Sequence, residues 1–207
     1  MLHNRINHYF LIAIIFFTSL SSIGYVLTVM SLSSYKSDNT GDGDLSIKWG
    51  MVSNIDKPVE YLSAETLIMD DREFIYLIGG EVDGEPSAQV FFAEVFVDGT
   101  LSPWQPTLEV THGTGFSSHK TAVVGDQLYV IEGGKGVYCA SPSFNGHIGS
   151  WLTTTPPITY PLTNFSTAVV KDRIYLIGGW SNGVPQNKVF SGLVTPNCGP
   201  IHWIDEP

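Results

Sequence analysis

The sequence predicts an all-β chain built from a repeated four-stranded antiparallel unit, preceded by one apolar N-terminal helix. Three observations predict it. First, one phrase occurs three times: ETLIMDDREFIYLIGG at residues 65–80, KTAVVGDQLYVIEGG at 120–134 and STAVVKDRIYLIGG at 166–179. Each copy is an apolar run, a polar turn, a second apolar run containing a tyrosine, and a glycine pair. Second, Tyr76, Tyr129 and Tyr175 are 53 and 46 residues apart, and Trp49, Trp104, Trp151 and Trp203 are 55, 47 and 52 apart. A period near fifty suits a four-stranded blade and is too long for most helical repeats. Third, 21 glycines and 12 prolines punctuate runs of β-branched and aromatic residues, as short strands joined by many turns require.

Residues 1–35 form the first element. Nothing from residue 9 to 35 is charged, and the apolar stretch 9–30 holds 22 residues. As a helix it would run about 33 Å, enough to cross a bilayer. Arg5 precedes it and Lys36, Asp38, Asp42 and Asp44 follow, which favours an N-terminus on the cytoplasmic side and an exported C-terminal part. The expected localisation is a single-pass membrane protein. The alternative is a cleaved signal peptide and a secreted or periplasmic product, against which the second apolar stretch 23–30 argues. Residues 36–48 read as a flexible linker, continuing the polar stretch that starts at Ser31.

Residues 49–207 hold the repeats. Gly125-Asp126-Gln127 and Lys171-Asp172-Arg173 read as tight turns within the phrase. Downstream of each phrase stands a second signature: DGTLSPW at 98–104, NGHIGSW at 145–151 and NCGPIHW at 197–203. The apolar strand, the glycine pair and the later tryptophan together resemble the Kelch repeat. The resemblance covers roughly residues 49–203 and implies a β-propeller of four-stranded blades. Glu132 departs from the pattern by adding a residue before its glycines, which suggests a bulge. Gly79, Gly80, Gly133, Gly134, Gly178, Gly179, Trp104, Trp151 and Trp203 read as structural repeat positions. Propellers close with four to eight blades, whereas three units are legible here. A fragment or truncated product, a ring completed by self-association, and an open sector all fit.

The net charge of −10 speaks against nucleic acid and against anionic lipid heads as partners, since both require a basic face. Cys139 and Cys198 occupy different places in the repeat, and nothing in the sequence sets whether they are bridged. Neither has metal-ligand spacing, no catalytic motif stands out, and no metal, cofactor or catalytic residue is expected. Asn164-Phe165-Ser166 is a glycosylation sequon at the start of a strand and reads as incidental.

In an antiparallel meander the connections alternate between two ends. Those after the glycine pairs, and those leaving the tryptophans, are the long and varied ones, and binding concentrates on such loops. They supply Glu81, Asp83, Glu85, Lys135, Trp180, Asn182 and Gln186, with His112 and His119 from the tryptophan-exit loops. Carboxylates, amides and an aromatic side chain suit a protein or carbohydrate ligand. The expected function is an exported or membrane-anchored binding module. Two alternatives are a carbohydrate-active enzyme resembling the sialic acid mutarotases among Kelch-like propellers, and a truncated nonfunctional remnant.

Overall fold

The structure, a computed structural model, describes residues 29–32, 49–110, 115–154 and 160–206. They form eighteen strands and no helix. The first two strands, β1 (Val29–Leu32) and β2 (Trp49–Ser53), pair with each other. Three four-stranded antiparallel sheets follow. Blade 1 contains β3 (Ser63–Met69), β4 (Arg72–Ile78), β7 (Val90–Val95) and β8 (Gln105–Thr107); a small hairpin, β5 (Glu81–Val82) and β6 (Glu85–Pro86), stands between β4 and β7. Blade 2 is the plain meander β9 (Lys120–Val124), β10 (Gln127–Glu132), β11 (Gly136–Ala140) and β12 (Leu152–Thr154). Blade 3 repeats the plan of blade 1, with β13 (Ser166–Val170), β14 (Arg173–Ile177), the hairpin β15 (Trp180–Ser181) and β16 (Val184–Pro185), then β17 (Val189–Leu193) and β18 (His202–Glu206).

The blades stack face to face because each inner sheet is apolar on both sides. In β10, Leu128 and Val130 pack with blade 1, while Tyr129 and Ile131 pack with blade 3. This explains the unbroken apolar runs in the phrase: a strand buried on both faces cannot alternate. The first strands β3, β9 and β13 are neighbours in turn, so they line the inner edge of the fan. Cross-blade hydrogen bonds stitch that edge. Thr121 donates to Glu65 at 3.0 Å and Thr167 donates to the Thr121 carbonyl at 3.0 Å.

Three expectations are corrected. Val29–Leu32 is a strand paired with β2, where the end of the apolar helix and the start of the polar stretch were expected; a ladder with a distant strand satisfies this backbone as fully as helical bonds would. The rest of the N-terminal segment and residues 36–48 lie outside the described residues. No described helix is long and apolar enough to cross a membrane. Glu132 is not a bulge: it pairs in register with Gly136, and β10 simply runs one residue further. Finally, Gln127 belongs to β10 and Arg173 to β14, so the turns before them are the two residues Gly125-Asp126 and Lys171-Asp172.

The cysteines are joined. Cys139 of β11 bonds Cys198 in the turn before β18, with Cα atoms 5.5 Å apart. The bridge crosses from blade 2 to blade 3.

Candidate functional site

In blades 1 and 3 the second strand ends at a glycine pair with φ of 64° and 92°, and of 63° and 92°. Both pairs are in the left-handed region where side chains are strained. A Cβ on Gly80 would also meet the Glu60 carbonyl at 2.5 Å, and one on Gly179 the Thr163 carbonyl at 2.6 Å. The pair therefore lets the chain turn sharply against the segment that enters its own blade, and it launches the small hairpin. The hairpin tips Asp83-Gly84 and Asn182-Gly183 all have positive φ, the two-residue turn that matches strand twist. Blade 2 has no such hairpin. Gly133 abuts the Leu162 carbonyl, and Lys135 closes a tight turn by donating its amide to the Glu132 carbonyl.

The topology puts both hairpins and the Lys135 turn at one end of the fan, the end where β4, β10 and β14 finish. Asp83 and Glu85 are exposed at the first tip, and Asn182 at the second. Glu81 is half-buried, its backbone bridged to Glu60. Lys135 is exposed and paired with Glu132 at 2.6 Å. Trp180 is 46% exposed. Gln186 accepts a hydrogen bond from the Tyr160 hydroxyl at 2.8 Å and donates to the Val184 carbonyl. Glu81, Asp83 and Glu85 thus share one hairpin, and Trp180, Asn182 and Gln186 share the other.

His119 is different. It is 1% exposed, with Nε2 at 3.0 Å from the Ile78 carbonyl and its ring against Phe116. Burial pushes its pKa down to about 4, only partly offset by the Ile78 carbonyl. It packs as a neutral side chain between blades 1 and 2 and is closed to ligand. His112 lies outside the described residues. The tryptophans pack into the blades: Trp151 within the core between blades 1 and 2, Trp203 against the core between blades 2 and 3, and Trp104 against the cluster on the other face of blade 1.

Two features of this end had escaped the sequence reading. Glu65 faces Thr121, and burial raises its carboxyl pKa against the lowering effect of that hydrogen bond. Its signal was readable: with the tyrosines superposed by strand register, Glu65 stands where the other repeats have Ala122 and Ala168. A shallow cleft of about 270 Å³, lined by Gln89, Phe91, Pro106, Leu108 and Glu109 among others, opens beside β7 and β8. It contains none of the predicted site residues. Among the described residues, no cluster of side chains could hold a metal ion.

The Kelch motif family model matches residues 161–191. The "Spermatocyte protein spe-26" of Caenorhabditis elegans is 26% identical over 147 residues, which is 69% of this chain and 25% of that protein. The solved structure of YjhT superposes with a TM-score of 0.58 at 15% identity, covering 91% of this chain and 60% of that one. The chain thus spans a quarter of the curated relative's length and about three fifths of the solved chain. It carries a Kelch motif at residues 161–191, and its threefold phrase and propeller-type fold are similar to those of Kelch-repeat proteins.

Proposed function

We propose that this chain is a binding module whose recognition surface is the glycine-pair end of the fan. The observation that carries the reading is the pair of rigid hairpins rising from blades 1 and 3. They hold different polar sets on one side of a packed scaffold, with Lys135 on the blade between. Rigid presentation lowers the ordering cost of binding. The first hairpin concentrates Glu81, Asp83 and Glu85, which favours a neutral or cationic ligand and opposes an anionic sugar. The second offers Trp180 as a stacking face beside the amides of Asn182 and Gln186, an arrangement that suits a sugar ring or a peptide aromatic.

The Cys139–Cys198 bridge supports an oxidising, exported setting for the module, with the apolar stretch that precedes β1 as its membrane anchor. An array of neutral, basic and acidic glycans, together with cationic and acidic peptides, tests the surface. Neutral or cationic ligands should be retained by the native chain and lost by Trp180→Ala, or by Asp83→Asn with Glu85→Gln. Binding that ignores all three substitutions would place recognition elsewhere. An anomer-exchange assay tests the carbohydrate-active alternative, which fails if the protein leaves the exchange rate of the bound sugar unchanged.

A further inference from the structure

The two boundaries between blades are made by the same device, a turn of one blade seated on the face of the blade before it. At the first boundary the Asn145-Gly146 turn of blade 2 lies on Phe74, Tyr76 and Phe92 of blade 1. The Tyr76 hydroxyl donates to the Gly146 carbonyl at 2.8 Å, and a Cβ on Gly146 would stand 2.5 Å from the Phe92 ring. At the second boundary the Asn197-Cys198 turn of blade 3 lies on Gln127, Tyr129 and Cys139 of blade 2. Cys198 is bonded to Cys139. With the Gln127 amide in its better-satisfied orientation, Oε1 accepts from the amides of Asn197 and Cys198 at 2.8 and 2.6 Å. The seats correspond by register: the repeat tyrosine, the residue two before it, and the tyrosine's partner across the ladder, Phe92 or Cys139.

That register builds a third seat on blade 3, formed by Arg173, Tyr175 and Ser191. No turn among the described residues lies on it. Val170, Ile177 and Ile204 on the same face are 55%, 44% and 49% exposed. The glycines agree. A Cβ on Gly79 would meet His119 at 2.7 Å and one on Gly133 would meet Leu162 at 2.2 Å, whereas one on Gly178 finds nothing nearer than 3.4 Å. The chain also carries a turn without a seat. Asp98-Gly99 precedes Trp104 as Asn145-Gly146 precedes Trp151, yet among the described residues nothing lies within 4 Å of where a Gly99 Cβ would be. Asp98 accepts the Thr100 amide and hydroxyl through Oδ1 and is exposed.

We propose that a second copy of this chain seats its Asp98-Gly99 turn on Arg173, Tyr175 and Ser191. Charge selects this pairing. Of the three turns only this one carries an acid, the others having Asn145 and Asn197; an arginine stands within the third seat, whereas at the first boundary Arg72 lies over Phe74 and donates to the Phe144 carbonyl beside a neutral turn, and Glu206 accepts from the buried Ser191 at the margin of the third. The Arg173 guanidinium, already held by the Ser191 hydroxyl at 3.2 Å, would take the Asp98 carboxylate, and the Tyr175 hydroxyl would donate to a main-chain carbonyl of the turn as Tyr76 does. A charge-assisted contact of this kind is stronger than a neutral one and fixes orientation. Val97, 94% exposed beside the turn, and the half-buried Phe91, Val95 and Leu101 of blade 1 would meet the apolar margin around the seat. The contact joins unlike surfaces, so copies associate head to tail.

Sedimentation velocity of the full chain in mild detergent, from about 1 to about 100 μM, tests this. The protein mass should rise with concentration. Arg173→Glu or Asp98→Arg alone should weaken association at least about tenfold, and D98R/R173E together should restore it. A mixture of the two single variants should associate like the native chain, since both contacts between unlike copies pair opposite charges whereas contacts between like copies set equal charges together. Tyr175→Phe keeps the fold intact and should also weaken association, which covers the case in which Arg173→Glu fails to fold. A single-chain mass throughout, or association that none of these substitutions alters, would overturn the proposal.

Discussion

Replacing both bridged cysteines with alanine is the most informative perturbation of the scaffold. The bond closes a loop with a sequence separation of 59, and constraining a loop of that length in the unfolded chain corresponds to about 4 kcal/mol at 25 °C. Cys139 is fully buried and Cys198 nearly so, so alanine avoids placing a hydroxyl in the core. With a urea m-value of about 2 kcal/mol/M, the loss should lower the unfolding midpoint by about 2 M. The assay is equilibrium urea unfolding of the oxidised native chain, the double variant, and the native chain with reductant. The reduced chain and the variant should fall together, well below the oxidised one. Three coincident curves would show that no bridge ties blade 2 to blade 3, as would two reactive thiols in the unfolded, unreduced chain.

Acid should destabilise the fold through His119. Its folded pKa of about 4 lies below the ordinary 6.5, so the unfolded chain binds the proton first and the stability present above pH 6.5 is lost as pH falls toward 4, by up to about 3 kcal/mol. The stability difference between the native chain and His119→Gln should shrink across that window in urea titrations; a pH-independent difference would contradict the buried, neutral placement. Glu65 acts with the opposite sign. Its pKa is raised, so its contribution is full below the ordinary carboxyl pKa and lost as pH rises through the raised one. Glu65→Gln should therefore unfold at higher urea than the native chain at pH 8, with the gain disappearing at pH 4. Gly133→Ala should cost about 1–3 kcal/mol by overpacking, because its Cβ would lie 2.2 Å from the Leu162 carbonyl, whereas Gly149→Ala, with nothing within 4 Å, should be nearly neutral in the same thermal melt.

Much of the architecture was legible because the packing is repetitive. Tyr76 and Tyr129 are buried at equivalent boundary positions, and a residue needed at every boundary recurs at the repeat period. The glycine pairs were legible for the same reason: a left-handed backbone pressed against a neighbouring carbonyl tolerates no side chain at Gly80 or Gly179. What could not be read were contacts made once. Cys139 and Cys198 lie at unlike places in their repeats, and only stacking brings the turn of one blade over the third strand of another. His119 looked like a loop histidine because nothing local shows that Phe116 and Ile78 enclose it. The hairpins at Asp83-Gly84 and Asn182-Gly183 carry a visible turn signature, yet the sequence alone did not reveal that blade 2 lacks one.

The central claim is that the three repeats are equivalent sheets stacked so that each tyrosine-bearing face receives the turn of the next. Proton–proton Overhauser contacts in the folded chain test it most directly. The account predicts cross-peaks from the Tyr76 ring to Gly146 and from the Gln127 side-chain amide to the amides of Asn197 and Cys198. A folded chain in which both pairs are silent would contradict it.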